Sequence, residues 1–199
     1  MRLFVAIDLP DAVRRHLAML GGGIPGARWV PAENLHLTLR FIGEVDGATA
    51  DDVAEALATV RADPFETVVC GVGHFETGRR PHALWAGVTA GPALRRLHAG
   101  VDMALQRIGL APEGRKYVPH VTLARLKGVV PARVQGFLTA HADLRSEPFP
   151  VAGFTLYSSF LGRGGALYRA EAGYDFTVPD EPEAHDGADL WDPWAGSAR

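Results

Sequence analysis

The sequence predicts an α+β fold of two lobes related by a pseudo-twofold, with two antiparallel sheets lining a central cleft and helices on the outer faces. Three observations predict it. Strand-like stretches that alternate apolar and polar residues are interleaved with amphipathic helical stretches along most of the 199 residues. The run His36-Leu37-Thr38-Leu39 has a second copy in pattern, His120-Val121-Thr122-Leu123. Each copy lies in a strand-like run followed by a helical one, an architectural duplication with little sequence identity outside the motifs. Two such units bury their apolar sheet faces under helices and leave their motif strands facing a common groove.

The elements follow in order. Arg2 to Leu9 alternates as a strand, and Pro10-Asp11 opens an amphipathic helix through about Leu20. Gly21-Gly22-Gly23 reads as the terminator of that helix, since no strand precedes it and no helix follows directly, as a phosphate cradle would require. Residues 34–42 form the first motif strand, closed by Gly43, and a helix spans about Ala48 to Arg61. Strands near 65–75 and 82–89 are joined by Thr77-Gly78-Arg79-Arg80-Pro81, and Pro92 begins a helix running to about Ile108. The second motif strand covers roughly 118–126, and a shorter helix spans 132–141 after Pro131. Strands near 150–160 and 166–171 meet through Gly162-Arg163-Gly164-Gly165, which reads as a hairpin turn first and an anion nest second. One bilobal domain is expected over 1–178. The Pro- and acid-rich segment 179–199 is expected to be disordered, with Trp191 and Trp194 as bystanders rather than a docking motif.

Composition narrows the function. Hydrophobic residues make up 47% of the chain, enough for a sizeable interior, yet no apolar run is long enough to span a bilayer. Nothing at the N-terminus signals secretion, so the expected location is cytoplasmic. The single cysteine, Cys70, excludes an intramolecular disulfide or a multi-Cys metal site and reads as a buried, inert thiol. Net charge is −3, but the six acidic residues from Asp180 onward leave the preceding body near +2. That is too little for clamping a long duplex. The local cluster Arg115, Lys116, Arg125 and Lys127 suits one or a few phosphates.

On a strand, residues i and i+2 share a face. His36 therefore stands beside Thr38, and His120 beside Thr122, with the intervening aliphatic residues anchoring the opposite face. In-line displacement at phosphorus needs a nucleophile activated on one side and a proton delivered to the leaving oxygen on the other. Imidazole, with an ordinary pKa of about 6.5, serves either role near neutrality, and one histidine from each lobe supplies the opposition. The threonine hydroxyls and an arginine can hold the non-bridging oxygens. Alternation places Arg40, at i+4, on the His36 face. Arg125, at i+5, reaches the His120 face only through a bulge or twist. Glu33, Glu44 and Asp46 make no zinc-like spacing with His36, so no metal and no cofactor is expected. Phe41, Trp29 and Tyr157 read as core packing, and His16, His74, His82, His98, His141 and His185 as solvated.

With both motifs and their surroundings in view, the chain resembles the 2H phosphoesterases. Within that superfamily it is similar to the RNA 2′,3′-cyclic phosphodiesterases, also called 2′-5′ RNA ligases. The likeness rests on Arg2-Leu3-Phe4-Val5-Ala6-Ile7-Asp8-Leu9-Pro10, Trp29-Val30-Pro31-Ala32-Glu33-Asn34-Leu35-His36, Pro119-His120-Val121-Thr122-Leu123-Ala124-Arg125 and Phe154-Thr155-Leu156-Tyr157-Ser158-Ser159. It implies the bilobal fold and hydrolysis of RNA 2′,3′-cyclic phosphate ends, short or tRNA-derived, to 2′-phosphomonoesters. It makes His36 the proton donor and His120 the proton acceptor, and favours Arg125 as phosphate ligand beside Thr38, Thr122 and Arg40. The motifs alone are too nearly equivalent to divide the two roles. Reverse ligation to a 2′-5′ bond is a further implication. A small substrate such as ADP-ribose cyclic phosphate and a non-catalytic binder of RNA ends are the alternatives, and no membrane or stable protein partner is implied.

Overall fold

A computed structural model describes residues 1–162 and 165–176. Its elements are β1 (Arg2–Asp8), α1 (Asp11–Met19), β2 (Ala27–Trp29), a 3-10 turn (Ala32–Asn34), β3 (His36–Glu44), α2 (Gly47–Leu57), β4 (Phe65–Thr67) and β5 (Val69–Thr77). They continue with β6 (Arg80–Val88), α3 (Pro92–Arg107), β7 (His120–Leu126), α4 (Pro131–Ala140), β8 (Phe149–Val151), β9 (Gly153–Gly162) and β10 (Gly165–Asp175). The architecture is α+β, as the sequence predicts. The turn residues Arg163 and Gly164, the segment 179–199 with its two tryptophans, and His185 lie outside the described residues.

The two expected sheets are the halves of one eight-stranded antiparallel sheet, in the order β10-β9-β1-β3-β7-β6-β5, with β2 also on β7. The halves join at the motif strands through one pair, Leu37 opposite Val121. Beyond it β3 and β7 part, and β2 takes over the β7 edge with Ala27, Arg28 and Trp29 opposite Leu126, Arg125 and Ala124. That parting opens the cleft. The three-residue β2 carries no alternation that a sequence could announce; it exists because β7 offers it an edge.

The opposite face is apolar. Leu37, Leu39, Val121 and Leu123 project there and are almost wholly buried, together with Leu94, Leu97, Val101 and Leu105 of α3. Burial of each such side chain contributes about 1.5–3 kcal/mol, so the joint between the halves is held from behind. Proline opens α3 and α4 at the first turn, and the Asp46 carboxylate accepts from the Thr49 N–H to cap α2. α2 stops at Leu57, short of the expected Arg61: past it the backbone tightens, with the Thr59 and Val60 N–H groups donating three residues back to the Ala56 and Leu57 carbonyls at 3.1 Å each. The runs expected as single strands at 65–75 and 150–160 each break in two, and their first pieces, β4 and β8, pair as a separate two-stranded sheet. Gly78 and Arg79, both at positive φ, make the tight turn between β5 and β6. Cys70 is half-buried rather than buried, its Sγ 3.5 Å from Thr89 Oγ1. No helix among the described residues is long and apolar enough to cross a membrane.

Candidate active site

The Leu37–Val121 pair fixes the site. Directly opposed residues in an antiparallel pair project to the same side, and these two project into the core. Their neighbours His36, Thr38, His120 and Thr122 therefore share the other face. One step of register along each strand sets His36 across from Thr122 and Thr38 across from His120, a two-by-two grid with the imidazoles at opposite corners.

Two bulges complete it. On β3 the partners of β1 run from Ala6–Thr38 to Val5–Arg40, passing over Leu39. On β7 the partners of β6 run from Trp85–Thr122 to Leu84–Ala124, passing over Leu123. Each bulge shifts the alternation by one. Arg125 thereby joins the motif face, as does Phe41, its counterpart on β3, and both line the cavities on the two sides of the grid.

Arg40 is a correction. Simple alternation predicts it on the His36 face, but the bulge at Leu39 turns it into the interior, where it is 8% exposed. Its Nε lies 2.8 Å from Asp102 Oδ1, an ion-pair contact without hydrogen-bond alignment, and its Nη1 donates to Glu113 Oε2 at 3.2 Å. Its Nη2 donates to the Ala111 carbonyl. Arg40 thus fastens the loop after α3, on the side away from the grid. Phe41 is the second correction: it is 49% exposed on the cleft floor, not packed in the core. His98 is the third. It stacks on Tyr117 with ring centroids 3.8 Å apart, and its Nε2 is buried without a partner among the described residues.

The two histidines are held alike. His36 Nδ1 donates to the Asn34 carbonyl at 2.8 Å, and His120 Nδ1 donates to the Val118 carbonyl at 2.6 Å, each two residues back in sequence. Committing Nδ1–H this way leaves Nε2 as the atom available to a substrate. Aromatic rings wall both sides. Phe4 and Tyr168 lie 4.9 and 5.3 Å from His36, and Phe75 and Trp85 lie 4.8 and 6.2 Å from His120. Trp85 occupies the space over Gly73, where an added Cβ would sit 2.2 Å from its ring. Burial lowers the pKa of both imidazoles from the ordinary 6.5. At His36 the carbonyl bond and the charge of Asp8 oppose that shift, while His120 and Arg125 add to it. At His120 the bond to Val118 opposes it and Arg125 adds to it. Asp8, opposite His36 in the β1–β3 pairing, is itself held by Thr155 Oγ1 at 2.8 Å and Tyr157 Oη at 2.5 Å.

Thr38, Phe41, Thr122 and Arg125 form a floor common to two cavities. The one on the His120 side, about 270 Å³, adds Phe75, His82, Tyr117, Arg115 and Lys116; the one on the His36 side, about 380 Å³, adds Phe4, Trp29, Asn34 and Tyr168. Sequence reasoning missed Asp8, Phe4, Tyr168 and Phe75. Asp8 shares the outward alternation of β1, but only the pairing puts it beside His36. Among the described residues, no group of three or more His, Cys, Asp or Glu is placed to hold a metal ion.

An RNA 2′,3′-cyclic phosphodiesterase of Aeropyrum pernix is 39% identical over 150 residues, 74% of this chain and 84% of that protein. One of Thermotoga maritima is 35% identical over 178 residues, 85% and 92% of the two chains. The crystal structure of TT0787 of Thermus thermophilus superposes with a TM-score of 0.73 at 27% identity, covering 88% of this chain and 98% of that one. That of E. coli LigT complexed with 3′-AMP gives 0.72 at 27%, covering 89% and 98%. The model of the family described as LigT like Phosphoesterase matches residues 7–85 and 88–168, one match for each motif. The chain belongs to the LigT-like phosphoesterase family.

Proposed function

We propose that this protein hydrolyses the 2′,3′-cyclic phosphate at the end of an RNA chain to a 2′-phosphomonoester, with His36 as proton donor and His120 as proton acceptor. The observation that carries the proposal is the grid: two imidazoles at opposite corners, each with Nδ1 committed to a backbone carbonyl and Nε2 left to act. The names of the relatives support the substrate.

In the reaction, His120 Nε2 takes a proton from water as its oxygen bonds to phosphorus. The P–O3′ bond breaks on the opposite side, and the leaving oxygen takes the proton of His36 Nε2. Thr38 and Thr122 donate to the non-bridging oxygens, and the Arg125 guanidinium matches the charge that builds up there. Asp8 favours the division of roles, because a carboxylate beside His36 helps it hold the proton it must give. Reverse use of the same steps would join the cyclic end to a 5′-hydroxyl.

Phosphorus NMR of a short RNA ending in a 2′,3′-cyclic phosphate tests the proposal. Conversion of the cyclic resonance to that of a 2′-phosphomonoester, undiminished by chelator, is the expected result. A 3′-phosphate product, loss of turnover with chelator, or no turnover at all contradicts it.

A further inference from the structure

The cavity on the His36 side carries more positive charge than the reaction requires. Arg2, Arg28 and Arg125 line it, and among the described residues no aspartate or glutamate does. A cyclic phosphodiester bears one negative charge, which one arginine can match with paired hydrogen bonds. Arg28 also stands directly opposite Arg125 in the β2–β7 pairing. Opposed side chains project to the same face with Cβ atoms roughly 5 Å apart, a position where like charges destabilise a sheet. Among the described residues, none of these three arginines forms an ion pair with a carboxylate. Phe4, Trp29, Leu161 and Tyr168 give the wall apolar and aromatic surface beside the polar Asn34 and Ser159, and the volume of about 380 Å³ exceeds what a lone phosphate fills.

We propose that Arg2 and Arg28 form a second anion subsite, which takes the phosphate on the 5′ side of the reacting nucleotide and makes an RNA chain a better substrate than a cyclic mononucleotide. This rests on the reading of the site given above. The in-line geometry agrees with it: when His36 protonates the leaving O3′, the ribose and its 5′ substituent lie on the His36 side. An anion held by Arg28 also relieves the repulsion that its pairing with Arg125 creates.

Steady-state kinetics on uridine 2′,3′-cyclic phosphate, its 5′-phosphorylated form and the dinucleotide UpU 2′,3′-cyclic phosphate test the proposal. The expected result is a kcat/KM higher by about 10- to 100-fold for both substrates that carry the 5′ phosphate, the value of one or two charge-assisted hydrogen bonds. In Arg28→Gln that ratio falls toward one, and Arg28→Lys restores part of it. Arg2→Gln, on a different strand, lowers the ratio too and serves should Arg28→Gln fail to fold. The dependence of kcat/KM on salt for the dinucleotide loses about 0.7 in logarithmic slope for each phosphate contact removed. Equal kcat/KM for all three substrates overturns the subsite and leaves the hydrolytic reading standing. So does a gain from the 5′-monophosphate without one from the dinucleotide, or a loss in Arg28→Gln and Arg2→Gln that is equal on all three. Turnover of none of them overturns both.

Discussion

Leu39 and Leu123 occupy the same place in the two motifs, three residues past each histidine, and each is the residue at which its strand slips register. The shared slip decides which arginine faces the grid. It turns the residue at i+4 inward, Arg40 in one copy and Ala124 in the other, and turns the residue at i+5 onto the grid, Phe41 and Arg125.

Arg125→Gln should lower kcat/KM on a cyclic phosphate by about 10- to 100-fold, the loss of one or two hydrogen bonds to a charged group. Its thermal stability should not fall, because the guanidinium is exposed, forms no ion pair among the described residues and stands opposite Arg28. A rate within twofold of the unmodified protein would remove Arg125 from the phosphate site.

Arg40→Met should show the reverse pattern. It strips Asp102, whose side chain is 17% exposed, of the cation that pairs with it, and leaves Glu113, 21% exposed, with Arg115 alone at 3.3 Å. Breaking such a pair by removing one partner costs roughly 3 kcal/mol or more, read as a lower urea midpoint at unchanged m. Any loss of activity should follow the loss of folded protein. A stable Arg40→Met with a raised KM would return Arg40 to the substrate.

The pH dependence has a definite sign. Burial lowers both imidazole pKa values from 6.5. The limb of kcat/KM that rises as the base loses its proton and the limb that falls as the acid loses its own should both lie on the acid side of 6.5. Stability carries the same signature. Below 6.5 the unfolded histidines bind protons before the folded ones, so stability falls as pH drops from 6.5 toward the folded values, and above 6.5 the histidines contribute no slope. Kinetic limbs above pH 7.5 would show that substrate-free burial does not govern these rings.

Gly73→Ala should destabilise the protein by about 1–3 kcal/mol, the usual cost of overpacking, because its Cβ collides with the Trp85 ring. Trp85 walls His120, so kcat should fall more than KM changes. A variant with normal kcat would show that Trp85 has room to shift without disturbing the imidazole.

Most of the architecture was legible in the sequence. The outward alternation of His36 with Thr38, and of His120 with Thr122, announces two functional strands, and the prolines at 92 and 131 mark the helices that follow. What could not be read is what depends on pairing. No local property of Leu39 or Leu123 signals a bulge, so alternation alone misplaces Arg40 and leaves Arg125 unexplained. The resemblance to a family favoured Arg125, and the bulge supplies the physical reason for its place on the motif face. Asp8 and Arg28 lie 28 and 97 residues from the histidine and arginine they stand against, and only the sheet brings them there. His98 looks like any surface histidine until Tyr117 folds over it.

Sulfur substitution at the leaving oxygen tests the division of labour between His36 and His120 most directly. Against an ordinary cyclic phosphate, His36→Ala and His120→Ala should each lose about 10²- to 10⁴-fold in rate. A 3′-thio cyclic substrate leaves as a thiolate, whose conjugate acid has a pKa near 8.5, and needs no proton from the enzyme. On it, His36→Ala should recover to within about tenfold of the unmodified protein, while His120→Ala keeps its full deficit. Recovery of His120→Ala instead, or of neither variant, would contradict two imidazoles acting in turn on opposite sides of one phosphorus.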